Sequence, residues 1–151
     1  MKLKVLVGNG RKIGLFTLPF IIAGLTLNYL YPSVFSVGGP SLILTMVSVI
    51  ILIPGVVVWI WSVLLIITKI PRKELITTGP YALVKHPLYT GVALLVIPWI
   101  GILFNTWLGV PIGIVVYSGS RIYSPGEEEI LSKVFGKAYE EYCKSVKLPW
   151  L

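Results

Sequence analysis

SLILTMVSVIILIPGVVVWIWSVLLIIT, residues Ser41 to Thr68, decides the fold. The stretch carries no charge and exceeds the roughly 20 apolar residues a helix needs to cross a hydrocarbon core. Working outward, the uncharged run reaches back to Ile13, which leaves room for two crossings. Toward the C-terminus, His86 to Ser120 is again free of Asp, Glu, Lys and Arg and could hold two short ones. The whole chain agrees. Its 151 residues are 56% hydrophobic and 13% charged, against about 25% charged in an ordinary soluble domain, and the mean hydropathy is +0.88. These features predict an all-α integral membrane protein, a single domain over 1–151 with about four transmembrane helices at 13–30, 41–68, 87–104 and 106–120.

Several function classes drop out. One cysteine (Cys143) and one histidine (His86) exclude a disulfide framework and a cysteine- or histidine-built metal cluster, so no metal is expected. Gly8, Gly10 and Gly14 have no strand before them and read as a basic leader rather than a nucleotide loop. The net charge of +7 flanks membrane segments, which favours membrane orientation and anionic lipid over nucleic acid. A cleaved signal peptide fits poorly, because the apolar run continues past Pro19 and Gly24 to Leu30.

Charge placement gives a topology. Lys2, Lys4, Arg11 and Lys12 precede the first span, and Lys69, Arg72, Lys73 and Lys85 lie between the second and third. The turns expected at Ser33–Pro40 and Asn105–Thr106 carry no charge. By the positive-inside rule both termini are cytoplasmic. Pro54 is expected to kink the second span, and Gly109 with Gly113 forms a small-xxx-small pair suited to close helix packing. The last span pair is short for a bilayer and could sit partly in a protein-lined cavity.

Two cytoplasmic segments, 75–91 and 121–151, hold the polar chemistry. In the first, Gly79-Pro80 marks a turn, and Pro87 suits the first turn of the third span, with His86 near the N-cap beside Lys85. Free amides there could attract an anionic group, or Lys85, His86 and Tyr89 could simply anchor the helix. In the second segment, Ile130, Leu131, Val134, Phe135, Ala138, Tyr139, Tyr142 and Val146 recur at helical spacing, predicting a C-terminal cytoplasmic amphipathic helix. Ser124 with Glu127 forms a capping box and Pro125 suits the first helical position. Glu127, Glu128 and Glu129 then serve either as helix-start acids or as carboxylates for the hydroxyls or ammonium of a polar cofactor.

Gly79-Pro-Tyr-x-x-Val-Lys-His-Pro-x-Tyr-x-Gly91, a hydrophobic hairpin, Glu127-Glu128 and Phe135-Gly-x-x-Tyr139-x-x-Tyr142-x-x-x-Val146 together resemble the isoprenylcysteine carboxyl methyltransferase family, in a wider group with membrane phospholipid methyltransferases. The resemblance runs from Leu75 to the end; the first two spans match only as generic helices. It implies an S-adenosylmethionine-dependent enzyme acting on a lipophilic or prenylated acceptor, most simply the carboxylate of an isoprenylcysteine-like substrate, with membrane lipid as its surroundings. It further implies that Tyr81, Lys85, His86, Pro87, Tyr89, Gly91, Glu127 and Glu128 hold the cofactor, and that Arg121 and Glu128 serve catalysis. Lys85 stands where the family has arginine, and the two differ at a bidentate contact. Arg121 sits six residues before Glu127, two further than in the family's pattern. A phospholipid N-methyltransferase, an NADPH-dependent membrane reductase with a similar His-Pro-x-Tyr signature, and a non-catalytic membrane assembly protein remain alternatives. The small size favours the plasma membrane of a prokaryote.

Overall fold

A computed structural model describes the backbone of residues 3–39, 41–149 and 151, and side chains from Gly10 onward. Lys2 and Pro40 lie outside the described residues. The described chain is all-helical, with no strand among its residues. Helix α1 spans Leu3–Leu30, the short α2 Pro32–Phe35, and α3 Leu42–Lys69. Two 3-10 turns, Ile70–Arg72 and Gly79–Ala82, follow. Then come α4 (Pro87–Gly91), a π turn (Val92–Val96), α5 (Ile97–Leu103), α6 (Gly109–Phe135) and α7 (Lys137–Ser145).

Two helices are long and apolar enough to cross a membrane, Gly10–Leu30 and Leu42–Arg72, while Pro87–Leu103 is a shorter apolar helix. Helix α3 is packed inside out relative to a soluble helix. Its buried residues are Ser48, Gly55 and Ser62, seven apart, so two turns carry the small side chains back to one face. Its large apolar residues face outward, with Leu42 76% and Ile50 65% exposed. In water that surface would be a large unsatisfied patch; in lipid it is solvated, and small residues at the seam let helices approach closely.

The seam receives α4, the π turn and α5. Pro98 has no N–H to return to the Leu94 carbonyl, and the chain accommodates the lost bond with the π turn immediately before it. Gly109 and Gly113, the predicted small pair, are both buried. A Cβ on Gly113 would overlap the Ala93 carbonyl oxygen, so close packing of α6 on this hairpin requires glycine there. On its other side α6 meets α1, with Phe16 edge-on to Tyr123 at 6.2 Å between ring centroids. The two uncharged turns dock on each other. Asn105 Oδ1 accepts from the Gly39 N–H at 3.0 Å and the Ser36 hydroxyl at 3.1 Å, and the Trp107 N–H groups donate to Phe35 and Val34 carbonyls.

The C-terminal segment differs from its expectation. No helix starts at Ser124. Helix α6 runs unbroken through Pro125 to Phe135, Ser124 is 4% exposed, and the capping box does not form. Proline in a helix interior typically costs about 3 kcal/mol; contacts of Tyr123 with Phe16 of α1 and of Glu128 with His86 flank Pro125 and favour the continuous helix. The amphipathic stretch instead breaks at Gly136, whose φ of +52° suits glycine, and α7 begins after it. Glu127, Glu128 and Glu129 are therefore mid-helix residues and do not serve a helix start. Pro54 lies within a continuous α3.

Candidate active site

At the end of the bundle where α3 and α6 emerge, α7 folds back over the 75–86 segment. Tyr139, Tyr142 and Val146 are buried together against Leu75, Tyr81, Leu131 and Phe135. The Tyr142 hydroxyl donates to the Tyr81 carbonyl at 2.9 Å. Beyond α7 the chain stays attached, the Leu148 N–H donating to the Leu83 carbonyl at 2.8 Å. Burial pushes the Tyr81, Tyr139 and Tyr142 phenols up, helped by the carboxylates of Glu127 at Tyr81 and Glu128 at the other two, so all three are neutral hydrogen-bonding groups at pH 7.

Beneath this cap sits a charged cluster. His86 occupies the N-cap position before Pro87, yet its imidazole makes no cap bond. It turns instead to α6, where Nε2 lies 3.0 Å from Glu128 Oε1, while Lys85 Nζ donates to Glu128 Oε2 at 3.2 Å. Hydrogen bonds from His86 and Lys85, with their charges, hold the Glu128 carboxyl down at about 2 against the opposing effect of burial. One carboxylate thus fixes two neighbouring side chains of a loop 42 and 43 residues away in sequence. Glu129, one position on, points outward to Lys133 at 2.6 Å.

Glu127 faces a different way again, into two cavities. One, of about 40 Å³, is enclosed by the cap and lined by Glu74, Tyr81, Lys85, His86, Tyr139 and Tyr142 among others. The second is a groove of about 720 Å³ lined by Gly10, Arg11, Val63, Ile66, Ile67, Leu88 and Tyr89. Tyr81, His86, Glu127 and Ile66 line both, so the two spaces meet at one polar wall.

A model of the isoprenylcysteine carboxyl methyltransferase family matches residues 42–133, from the first residue of α3 to Lys133 of α6. The chain belongs to the isoprenylcysteine carboxyl methyltransferase family. Membership of this methyltransferase family, with two helices long and apolar enough to span, places the protein among membrane enzymes. The match takes in α3, which sequence alone read as a generic span, and stops before the Phe135–Val146 stretch. No curated protein and no solved structure matches the chain.

Among the methyltransferase-motif residues, Tyr81, Lys85, His86, Tyr89 and Glu127 converge on the two cavities, and Glu128 ties Lys85 and His86 in place. Pro87 is wholly buried and Gly91 packs against Val58 of α3; neither lines these cavities. Their part is to seat α4 so that His86 faces α6. Arg121 is exposed and also lines neither. Four contributors were not read as site residues from the sequence. Tyr139 and Tyr142 were read as the apolar face of an amphipathic helix, yet they line the capped cavity. Glu74, paired to Lys69 at 2.6 Å, had no motif around it, and Arg11 looked like one more basic residue ahead of a span.

Proposed function

We propose that this protein transfers a methyl group from S-adenosylmethionine to a lipophilic carboxylate of the isoprenylcysteine type, at the cytoplasmic face of a four-span membrane domain. The observation that carries the reading is the Lys85–His86–Glu128 cluster standing beside Glu127 at the junction of two cavities. Four spans with both termini cytoplasmic follow if α4–α5 and the uncharged part of α6 form the short second hairpin, and the small size favours a prokaryotic plasma membrane. The charge-free docked turns at Gly39 and Asn105 and the basic residues at the opposite end support that orientation.

The donor set suits the cofactor. Carboxylates pair with an ammonium or ribose hydroxyls, and aromatic faces attract a cation. Glu127 and the rings of Tyr81, Tyr139 and Tyr142 supply both kinds of contact. A space of about 40 Å³ is far below the roughly 300 Å³ or more of small-molecule sites. Binding therefore requires α7 and the 75–86 segment to part, with Gly136 as the natural pivot. When bound, S-adenosylmethionine supplies an electrophilic methyl group on a sulfonium. Lys85 and His86, held by Glu128, contribute fixed positive and hydrogen-bonding groups, and the closed cap excludes water. A carboxylate acceptor is ionised at neutral pH, so the site needs no general base.

Calorimetry on protein in detergent or lipid, with S-adenosylmethionine, S-adenosylhomocysteine and NADPH, tests the reading. Both sulfur compounds should bind, and Glu127→Gln or His86→Ala should weaken them about tenfold with helix content retained. Binding of NADPH with no response to either sulfur compound would overturn it in favour of a reductase.

A further inference from the structure

The groove of about 720 Å³ lies between the start of α1, the end of α3 and the first turn of α4. Its walls sort by chemistry. Val63, Ile66, Ile67 and Leu88 form an apolar side, and Tyr81, His86 and Glu127 form the polar wall shared with the capped cavity. The remaining charged side chain is Arg11, which is exposed and has no carboxylate partner among the described residues. Gly10 brings α1 close at this level, since a Cβ there would stand 3.3 Å from the Tyr89 hydroxyl. A cation held at the lip of an apolar groove, beside a site built to react with something, selects a molecule with an apolar tail and an anionic head.

We infer that Arg11 anchors the carboxylate of the lipophilic acceptor, with the acceptor's apolar chain lying along Val63, Ile66, Ile67 and Leu88. The inference rests on the methyltransferase reading and deepens it. Arg11 stands on the first helix, ahead of the residues matched by the family model, which begin at Leu42. Arg121, the arginine that the family motif puts forward, is exposed and outside both cavities. A guanidinium binds a carboxylate through two parallel N–H bonds, which an ammonium cannot reproduce. Arg11 acts as a positioning and selecting group; the methyl acceptor oxygen must still reach the Glu127–His86 wall.

The test compares an S-farnesyl thioether acid with its primary amide, each titrated into protein in phosphatidylcholine nanodiscs and followed by tryptophan fluorescence. S-adenosylhomocysteine binding is measured in parallel. Wild type should bind the acid at least tenfold tighter than the amide. Arg11→Gln should bring the ratio close to one by weakening the acid alone, Arg11→Lys should fall between, and S-adenosylhomocysteine affinity should not change. An unaltered ratio in Arg11→Gln overturns the inference, as does loss of the ratio in Arg121→Gln instead. If wild type discriminates acid from amide through Arg11 but binds no S-adenosylhomocysteine, the groove assignment holds and the methyltransferase reading fails.

Discussion

Replacing Glu128 by glutamine removes one negative charge from beneath Lys85 and His86 while keeping the shape of the side chain. The wild-type carboxyl is held at about 2, down from 4.5. At about 1.4 kcal/mol per pH unit, that depression corresponds to at most about 3.5 kcal/mol. The Glu128 side chain is 31% exposed, so water screens the cluster and about 1–2 kcal/mol is the expected loss in Glu128→Gln. The sign follows from the direction of the shift. A carboxyl that ionises more readily in the folded protein stabilises it fully above its unfolded value of 4.5, and that contribution disappears as pH falls through about 2. Unfolding of wild type and Glu128→Gln in the same detergent at pH 7, 5 and 3 reads this directly. The variant should be weaker by about 1–2 kcal/mol at pH 7, nearly as much at pH 5, and by about half of that or less at pH 3. Equal stability at pH 7, or a gap that widens on acidification, would refute the clamp. Because the clamp also orients His86, S-adenosylhomocysteine should bind Glu128→Gln several-fold more weakly.

The packing of the hairpin and the cap gives further expectations. Gly113→Ala forces a methyl group into the Ala93 carbonyl and should cost about 1–3 kcal/mol or more, visible as a lower melting temperature; an unchanged one would mean that α6 and the π turn stand further apart. Tyr142→Phe deletes the 2.9 Å bond to the Tyr81 carbonyl. It should lower stability by about 1 kcal/mol and speed hydrogen exchange in 137–149, with no change in α3. Gly136→Ala places a side chain at φ +52° and ψ −126° with nothing nearby to clash. Any loss, of about 1–2 kcal/mol, is then backbone strain, and protease cleavage beside α7 should increase.

What could be read from sequence was whatever depends on composition or on short spacing. The uncharged run from Ile13 falls in α1 and α3, although α1 begins at Leu3, so the stretch read as a basic leader is helical; the Pro87 start of the third apolar helix falls where expected, and Gly109 and Gly113 meet a neighbouring backbone. The Lys85-His86 pair and the acids at 127 and 128 are together in space as their motif suggested. Ser124-Pro125-Gly126 misled because its local signals are those of a helix start. Tertiary packing on α1 overrides them, and no nearest-neighbour pattern contains that information. Three consecutive glutamates point about 100° apart around a helix, and which one meets Lys85 depends on how α6 is rotated against α4. With α6 continuous, that rotation is set at Gly109, Gly113 and Gly119, far from the acids themselves. Arg11 was illegible for a different reason: a basic residue before a span serves topology by default, and only the approach of α1 to Tyr89 shows that it lines the groove.

Carboxyl methylation is read by supplying purified protein in lipid with S-adenosylmethionine labelled at its methyl group and an S-prenylcysteine acceptor. Label should appear in a product that releases it as methanol under mild base, with little of it from Glu127→Gln. Label that stays base-stable in a phospholipid headgroup, or no transfer at all to acceptor or lipid, would contradict it.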